Sequence, residues 1–378
     1  LKPCWFMMIG FKRIVMLPWS TLRALFLVLC CWRFAPSDSR STSVSRGVPT
    51  VQLRNAANDD VLMPFAGLGT GNMGVYGHNA MASYNASMAW LIMGGKRFDS
   101  ADSYGDEPGI GKALVDSGVR RTAVFLQSKI GPGGLAWPLG YNETWAQARG
   151  ILQNYSTPYI DLLLVHWPTN YGPCKYTHPH PSIPTSDPNC DTALNTYSER
   201  GCRLNTWRAM VDLWKAGLAR SIGVSNWNTT HIQEIADAGL PLPALNQVQW
   251  NLGHKFNASS NVVNGAPVGS GAETAGDLKA FCEKRQIVFN GYSPFSGPHG
   301  VEATLTNPFL VKMALSRNTS TAKVILNWHY HLGIPFNPES ENPAHQKEFL
   351  DAFEVGLTEA DIEQLNAFDF GSRSDLWI

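Results

Sequence analysis

The sequence predicts an α/β chain folded as a (β/α)8 barrel, with an N-terminal β-hairpin and a C-terminal helix. Eight short apolar runs alternate with eight helical patterns, and strands alternating with helices imply a parallel sheet. All of them fall within one stretch free of linkers and internal repeats, the size of a single barrel domain. Polar or titratable side chains recur at the C-terminal ends of the runs, the rim where such barrels keep their functional groups.

The elements follow in order. "VPTVQLRNAANDDVLMPFAG" reads as a hairpin turning at residues 55–60. Strands are expected at 65–69, 97–101, 123–128, 161–166, 220–225, 245–250, 287–293 and 333–337. Helical patterns occupy 80–94, 107–117, 143–154, 204–216, 229–238, 272–285 and 320–331. A last helix, 358–368, is N-capped by Thr358. The longest irregular pieces are the Cys- and Pro-rich loop 169–205 and residues 251–271. "GTGNMG" at 69–74 matches a dinucleotide-binding G-x-G-x-x-G, with Asp99 at a plausible distance. Its context fails, because no helix opens directly after the glycines.

Residues 1–46 stand apart from the barrel, which is expected to occupy 47–378. The first fifty residues hold seven Lys and Arg against the single acid Asp38. The apolar run "ALFLVLCCW" is too short for a bilayer, which needs roughly 20 residues. A basic flank before a short apolar core is a signal-peptide pattern, and the Arg- and Ser-rich composition also fits a transit peptide. A secretory lumen or secretion is the expected location. Organelle import, or a cytosolic chain if the leader is an artefact, remains open. Six N-x-[ST] sequons, at Asn85, Asn142, Asn154, Asn228, Asn257 and Asn318, agree with secretion. Two of Cys174, Cys190 and Cys202 could staple the 169–205 loop in an oxidising compartment. Cys174, His178, His180 and Cys190 fit no standard zinc spacing, so no metal is expected. Net charge is zero and the body carries no basic stripe, which argues against nucleic acid. No stable membrane span is expected, and the chain is expected to be a monomer.

The rim groups suit one chemistry. Asp99 ends the second strand, with Tyr104 in its loop, and Lys129 and His166 end the third and fourth. A Tyr is a poor acid at neutral pH, but a neighbouring ammonium favours its phenolate and lowers its pKa. Asp99 can hold such a lysine, and His166 can orient a carbonyl oxygen. Together they form a general acid for an oxygen that gains charge as hydride reaches carbon. Hydride requires a cofactor. Ser225, Asn226 and Gln247 can hydrogen-bond a carboxamide and Tyr292 can stack on a flat ring, the requirements of a nicotinamide.

From about residue 48 to 370 the chain resembles the aldo-keto reductases. "MPFAGLGT", "RFDSADSYGDEPGIGKAL", "LQSKI", "DLLLVHWP", "IGVSNW", "NQVQWN" and "YSPF" occur in family order. The resemblance implies a catalytic tetrad of Asp99, Tyr104, Lys129 and His166, with Tyr104 donating the proton. Tyr104, His166 and Trp167 would face the substrate. Cofactor contacts would come from Gly69, Thr70, Asp99, Ser225, Asn226, Gln247, Tyr292, Ser293, Phe295, Asn337 and Glu348. It further implies NADPH as cofactor and a small aldehyde or ketone as substrate.

The chain departs from the family in two places. Phe336 and Asn337 stand where Lys and Ser are usual, and His345 or a neighbour stands at the Arg that helps clasp the 2′-phosphate of NADPH. Glu348 is retained, Phe349 replaces Asn, and Lys347 is the one fixed cation nearby. Losing charge-assisted contacts at a phosphate leaves NADH possible. The 169–205 loop is longer than usual and is expected to reshape the pocket mouth. An alternative to the carbonyl reductase is a non-catalytic nicotinamide-binding barrel, acting as a sensor or regulatory subunit like the potassium-channel β subunits of the same superfamily.

Overall fold

The computed structural model describes residues 47–54, 61–71, 73, 79–131, 139–168, 174–175, 190–191, 196–197, 199–256, 262–263, 266–267 and 273–370. By its contacts the chain divides into Leu1–Arg46 and Gly47–Ile378, and only the second contains described residues. The hairpin turn at 55–60 and most of the 169–205 loop lie outside the described residues.

Strands β1 (Thr50–Leu53) and β2 (Val61–Pro64) form the antiparallel hairpin. The barrel strands are β3 (Gly67–Gly69), β4 (Arg97–Asp99), β5 (Phe125–Ile130), β6 (Ile160–Val165), β10 (Ala219–Ser225), β11 (Leu245–Gln249), β14 (Val288–Tyr292) and β15 (Phe336–Asn337). Every neighbouring pair is parallel, in the order β15-β14-β11-β10-β6-β5-β4-β3. Parallel bridges Ala66↔Phe336 and Gly69↔Glu339 bring β15 back against β3, so the eight strands form a nearly closed barrel. Two-residue strands β7 (Cys174–Lys175), β8 (Cys190–Asp191) and β9 (Thr196–Tyr197) form a small sheet in the long loop, and β12 (Val262–Val263) pairs with β13 (Ala266–Pro267).

The helices are α1 (Ala80–Ile92), α2 (Glu107–Ser117), α3 (Tyr141–Asn154), α4 (Glu199–Lys215), α5 (Thr229–Asp237), α6 (Ala275–Lys284), α7 (Gly297–Leu305), α8 (Pro308–Ser316), α9 (Thr321–His331), α10 (Pro343–Asp351) and α11 (Glu359–Ala367). Thr358 caps α11 as expected, its side chain accepting from the Asp361 amide. Helices α7, α8 and α10 were not foreseen. Each carries a proline in its first two positions, and Asn307 and Asn342 cap α8 and α10. Those Asn-Pro pairs read as loop in sequence but suit a helix start.

Strand alternation sorts the barrel into layers. Outward residues such as Phe98, Leu126, Leu163, Ile222, Val248, Phe289 and Phe336 join the core under the helices. Inward Phe125, Leu162, Leu164 and Leu245 pack with Leu53, Val61 and Met63 of the hairpin, an apolar cluster at the bottom of the barrel. Above it the interior turns polar: Arg97, Asp99, Gln127, Lys129, Gln247, Asn290 and Asn337 are all buried.

Candidate active site

Asp99, the last residue of β4, receives four side-chain donors. Its Oδ1 accepts from Lys129 Nζ at 2.8 Å and Gln127 Nε2 at 2.6 Å, and its Oδ2 from Asn337 Nδ2 at 2.7 Å and Gln247 Nε2 at 3.0 Å. Lys129 Nζ also donates to the Ser100 carbonyl at 2.9 Å. Burial alone would lower the Lys129 ammonium, but Asp99 and Tyr104 outweigh it and hold its pKa above the ordinary value.

Tyr104 closes a 3-10 turn, Asp102–Tyr104, that ends at Gly105 with a left-handed φ of 69°. The turn sets the Tyr104 ring centroid 5.0 Å from Lys129 Nζ and the phenol 3.5 Å from His166 Nε2. The phenol pKa is raised, contrary to the sequence expectation. Burial is the largest influence, and the opposing pull of Lys129 does not overcome it. Burial, then Lys129, pushes His166 well below the usual histidine range, so its imidazole is neutral near pH 7. His166 Nδ1 has no partner among the described residues, and the ring stacks on Trp167 at 6.1 Å and 20°. Trp167 is half-buried at this rim.

The residues expected to meet a carboxamide are bonded to one another. Ser225 Oγ donates to the Gln247 carbonyl at 2.8 Å. Asn226 Nδ2 donates to the His166 carbonyl and to Ser225 Oγ, each at 3.1 Å, and Asn226 Oδ1 accepts from the Tyr292 phenol at 3.0 Å. Asn226 holds a left-handed φ of 62°, a strained setting for a non-glycine residue at a rim. Gln247 turns its amide nitrogen into the barrel, toward Asp99 and Asn290. On the opposite edge, Thr70 donates its backbone N–H to the Asp99 carbonyl at 3.2 Å. A Cβ on Gly69 would fall 2.9 Å from the Asn337 carbonyl, and one on Gly71 3.3 Å from the Tyr104 ring. Both glycines therefore let the backbone pack closely against Asn337 and Tyr104.

Other expected contacts lie elsewhere. Asn337 points into the barrel, its amide committed to Asp99 and Asn290 and its carbonyl to Arg97. Phe295 is buried against Phe349. Ser293 has a left-handed φ of 51° and its carbonyl accepts from Asn251 and Ser296. Glu348 is half-buried on α10. Phe336 is fully buried and stacks on Phe353 at 5.7 Å, Lys347 pairs with Asp351, and exposed His345 lies 3.1 Å from Ser340 Oγ. Sequence reasoning also missed Asp106 and Glu107, buried acids whose pKa values burial pushes up to about 7 and about 8. Asp102 is raised to about 6 by burial. No cluster of three or more His, Cys, Asp or Glu able to hold a metal occurs among the described residues. The Cys174, His178, His180 and Cys190 side chains lie outside them.

A parallel barrel with a Tyr, a paired Lys, an Asp and a His at one rim defines a barrel oxidoreductase. Residues 67–369 match the aldo/keto reductase family model, and the chain belongs to that family. A 2,5-diketo-D-gluconic acid reductase B from Corynebacterium sp. is 29% identical, covering 87% of this chain and 95% of its own. An aldo-keto reductase from Mycolicibacterium vanbaalenii is 28% identical over 86% of this chain and 94% of its own. The crystal structure of an aldo/keto reductase from Brucella melitensis superposes with a TM-score of 0.63 at 27% identity, covering 85% of this chain and all of its own. A Bombyx mori aldo-keto reductase in complex with NADP gives 0.65 at 23% identity, covering 87% and 95%, a likeness of fold. The protein is therefore an NAD(P)H-dependent oxidoreductase acting on small carbonyl compounds. Among the described residues no helix is long and apolar enough to cross a membrane.

Proposed function

We propose that the protein reduces an aldehyde or ketone to the alcohol, with Tyr104 as proton donor. The observation that carries this reading is the convergence of Asp99, Lys129, Tyr104 and His166 on one rim. A dihydronicotinamide, held by the residues at this rim, would supply the hydride for the carbonyl carbon. Neutral His166 donates from Nε2 to the carbonyl oxygen and fixes its direction. As the C–H bond forms and the C=O π bond breaks, the phenol O–H of Tyr104 breaks and its proton passes to the oxygen. Lys129 stabilises the phenolate left behind, and Asp99 holds Lys129 in place. Ser225, Asn226, Gln247 and Tyr292 would hold its nicotinamide.

NADPH is the cofactor in this reading, and NADH can also serve. Supporting use of NADH, Phe336 is sunk in the core, and Lys347, the one cation the family position retains nearby, pairs with Asp351. An oxidising compartment is supported by Cys202, which is disulfide-bonded.

The test is the Tyr104→Phe variant, assayed with simple aldehydes beside titrations of NADH and NADPH. The reading expects a loss of at least about 100-fold in kcat with cofactor affinity retained. Full activity in the variant would overturn it. Cofactor binding without turnover by the wild type would favour the sensor or regulatory-subunit reading.

A further inference from the structure

Strand β15 contributes two residues, and they face opposite ways. Phe336 lies outward against Phe353, while Asn337 lies inward at 5% exposure, level with Tyr292 in the ladder. Asn337 therefore turns its side chain into the polar barrel interior, among Asp99, Asn290 and Arg97. Its Nδ2 donates to Asp99 Oδ2 at 2.7 Å and approaches Asn290 Oδ1 at 3.3 Å, while its Oδ1 accepts from the Arg97 guanidinium.

Arg97 is itself anchored. It is fully buried, and it donates to the Pro64 and Phe65 carbonyls at 3.0 and 3.3 Å and to Asn290 Oδ1 at 2.9 Å. Asn290 Nδ2 donates to the Pro335 carbonyl at 2.5 Å, and its Oδ1 also accepts from Gln247 Nε2 at 3.1 Å. A chain of fixed dipoles thus runs from the hairpin end through Arg97 and Asn337 to the Oδ2 face of Asp99. The Oδ1 face meets Lys129. A carboxylate is free to rotate about its Cβ–Cγ bond, and donors on both oxygens set that torsion. The Lys129 ammonium, and through it the Tyr104 phenol, are placed by the result.

We infer that Asn337 is a positioning residue for proton delivery: as the inward residue of β15 it makes the shorter of the two contacts, beside Gln247, that fix the Oδ2 side of Asp99, so that Oδ1 holds Lys129 under Tyr104. The inference rests on the carbonyl-reductase reading. It gives the departure at Asn337 a role in the chemistry rather than in cofactor binding.

Two variants test it. Asn337→Asp keeps the shape and the Arg97 contact but replaces the donor to Asp99 with an acceptor. Asn337→Leu removes both contacts. At saturating cofactor and pH 8, both lose about tenfold or more in kcat, as small displacements of a reacting group commonly cost. Cofactor dissociation constants stay within about threefold of wild type, since the Asn337 side chain is committed to Asp99, Asn290 and Arg97. The discriminating readout is the pH profile. The introduced carboxylate faces Asp99 on β4, with Arg97 on β4 and Lys129 on β5 as neighbouring cations. Two facing carboxylates take up a shared proton as pH falls. The resulting O–H again donates to Asp99, so the deficit of Asn337→Asp shrinks toward pH 5.5 while that of Asn337→Leu persists. A packing role alone would lower kcat of both variants equally at every pH, and that result overturns the inference. So does an Asn337→Asp variant within twofold of wild type throughout. A wild type that reduces no carbonyl overturns the reductase reading and the inference with it.

Discussion

Lys129 Nζ lies 2.8 Å from Asp99 Oδ1, and the two side chains keep only 2% and 6% of their surface in water. A pair so enclosed is costly to break, because the surviving charge is stranded away from solvent. Lys129→Met leaves the Asp99 carboxylate with amide donors alone and removes the ammonium that opposes the raised Tyr104 pKa. The expected outcome is a fall of at least about 100-fold in kcat, the scale of losing one preorganised charge-stabilising group. Thermal unfolding is also lowered. Steady-state kinetics and a melting curve on the same preparation check both parts.

The pH profile follows from two directions. Reduction requires the Tyr104 phenol to be protonated, and burial raises its pKa, so the active form persists through mildly alkaline pH. Activity declines only above the ordinary tyrosine range. His166, pushed well below the usual histidine range, contributes no inflection near pH 6.5. A kcat profile in constant-ionic-strength buffers would contradict this if it showed a histidine-like step that vanished in a His166 variant.

Glu107 offers a stability test separate from the chemistry. It is wholly buried, its Oε1 accepting from Ser128 at 2.8 Å, and its pKa is raised from 4.5 to about 8 by burial. A raised folded-state pKa means the native state binds the proton more tightly than the unfolded chain. The stability this contributes is present in full below the unfolded value and is lost as pH rises toward about 8. Glu107→Gln, which cannot ionise, should therefore gain on wild type between pH 5 and pH 8, by on the order of a few kcal/mol. Urea unfolding at the two pH values measures the difference.

The strands were legible because their apolar runs are short and evenly punctuated, and the rim groups because they follow those runs directly. Asp99, Lys129 and His166 needed only strand ends to be located. The inward direction of Asn337 was not legible. The run 333–337 contains a glycine and a proline, and its apolar residues do not alternate to show which side chain turns inward, while the family position suggested a cofactor contact. The polar layer of Arg97, Gln127, Asn290 and Asn337 was invisible for another reason. Its members come from four strands far apart in sequence, and only barrel closure brings them together. Helices α8 and α10 were hidden by prolines that, with an Asn before them, start helices rather than end them.

Asp161 separates the barrel's two ends. It is 1% exposed at the start of β6 and pairs at 2.8 Å with both Arg121 and Arg220, while its Oδ2 accepts from the Leu126 amide at 2.9 Å. These contacts lie at the N-terminal ends of the strands, away from the rim. Asp161→Asn should cost about 2 kcal/mol, discounted because both arginines keep some access to water. At temperatures where it stays folded, its kcat and KM should match wild type. A change in kcat without a change in melting temperature would contradict this division.

Cofactor choice can be tested by adding charge back at two positions with opposite expectations. Phe336 occupies the family's lysine position, yet its ring is wholly buried, stacked on Phe353 at 5.7 Å and edge-on to His329 at 6.0 Å. Phe336→Lys drives an ammonium into that aromatic layer, where an unpaired charge is strongly disfavoured. The variant should unfold at lower temperature and gain no affinity for NADPH. His345 stands instead on the exposed side of α10, beside Ser340 and Asn342. His345→Arg places a planar, permanently charged donor in water at the helix's first turns, where it can pair with a phosphate at two oxygens. NADPH affinity should rise about tenfold while NADH affinity stays level, a gain of about 1.4 kcal/mol. Fluorescence-quenching titrations of both variants with both cofactors separate the cases. Equal gains for NADH and NADPH would mean that the new guanidinium meets the pyrophosphate rather than the 2′-phosphate.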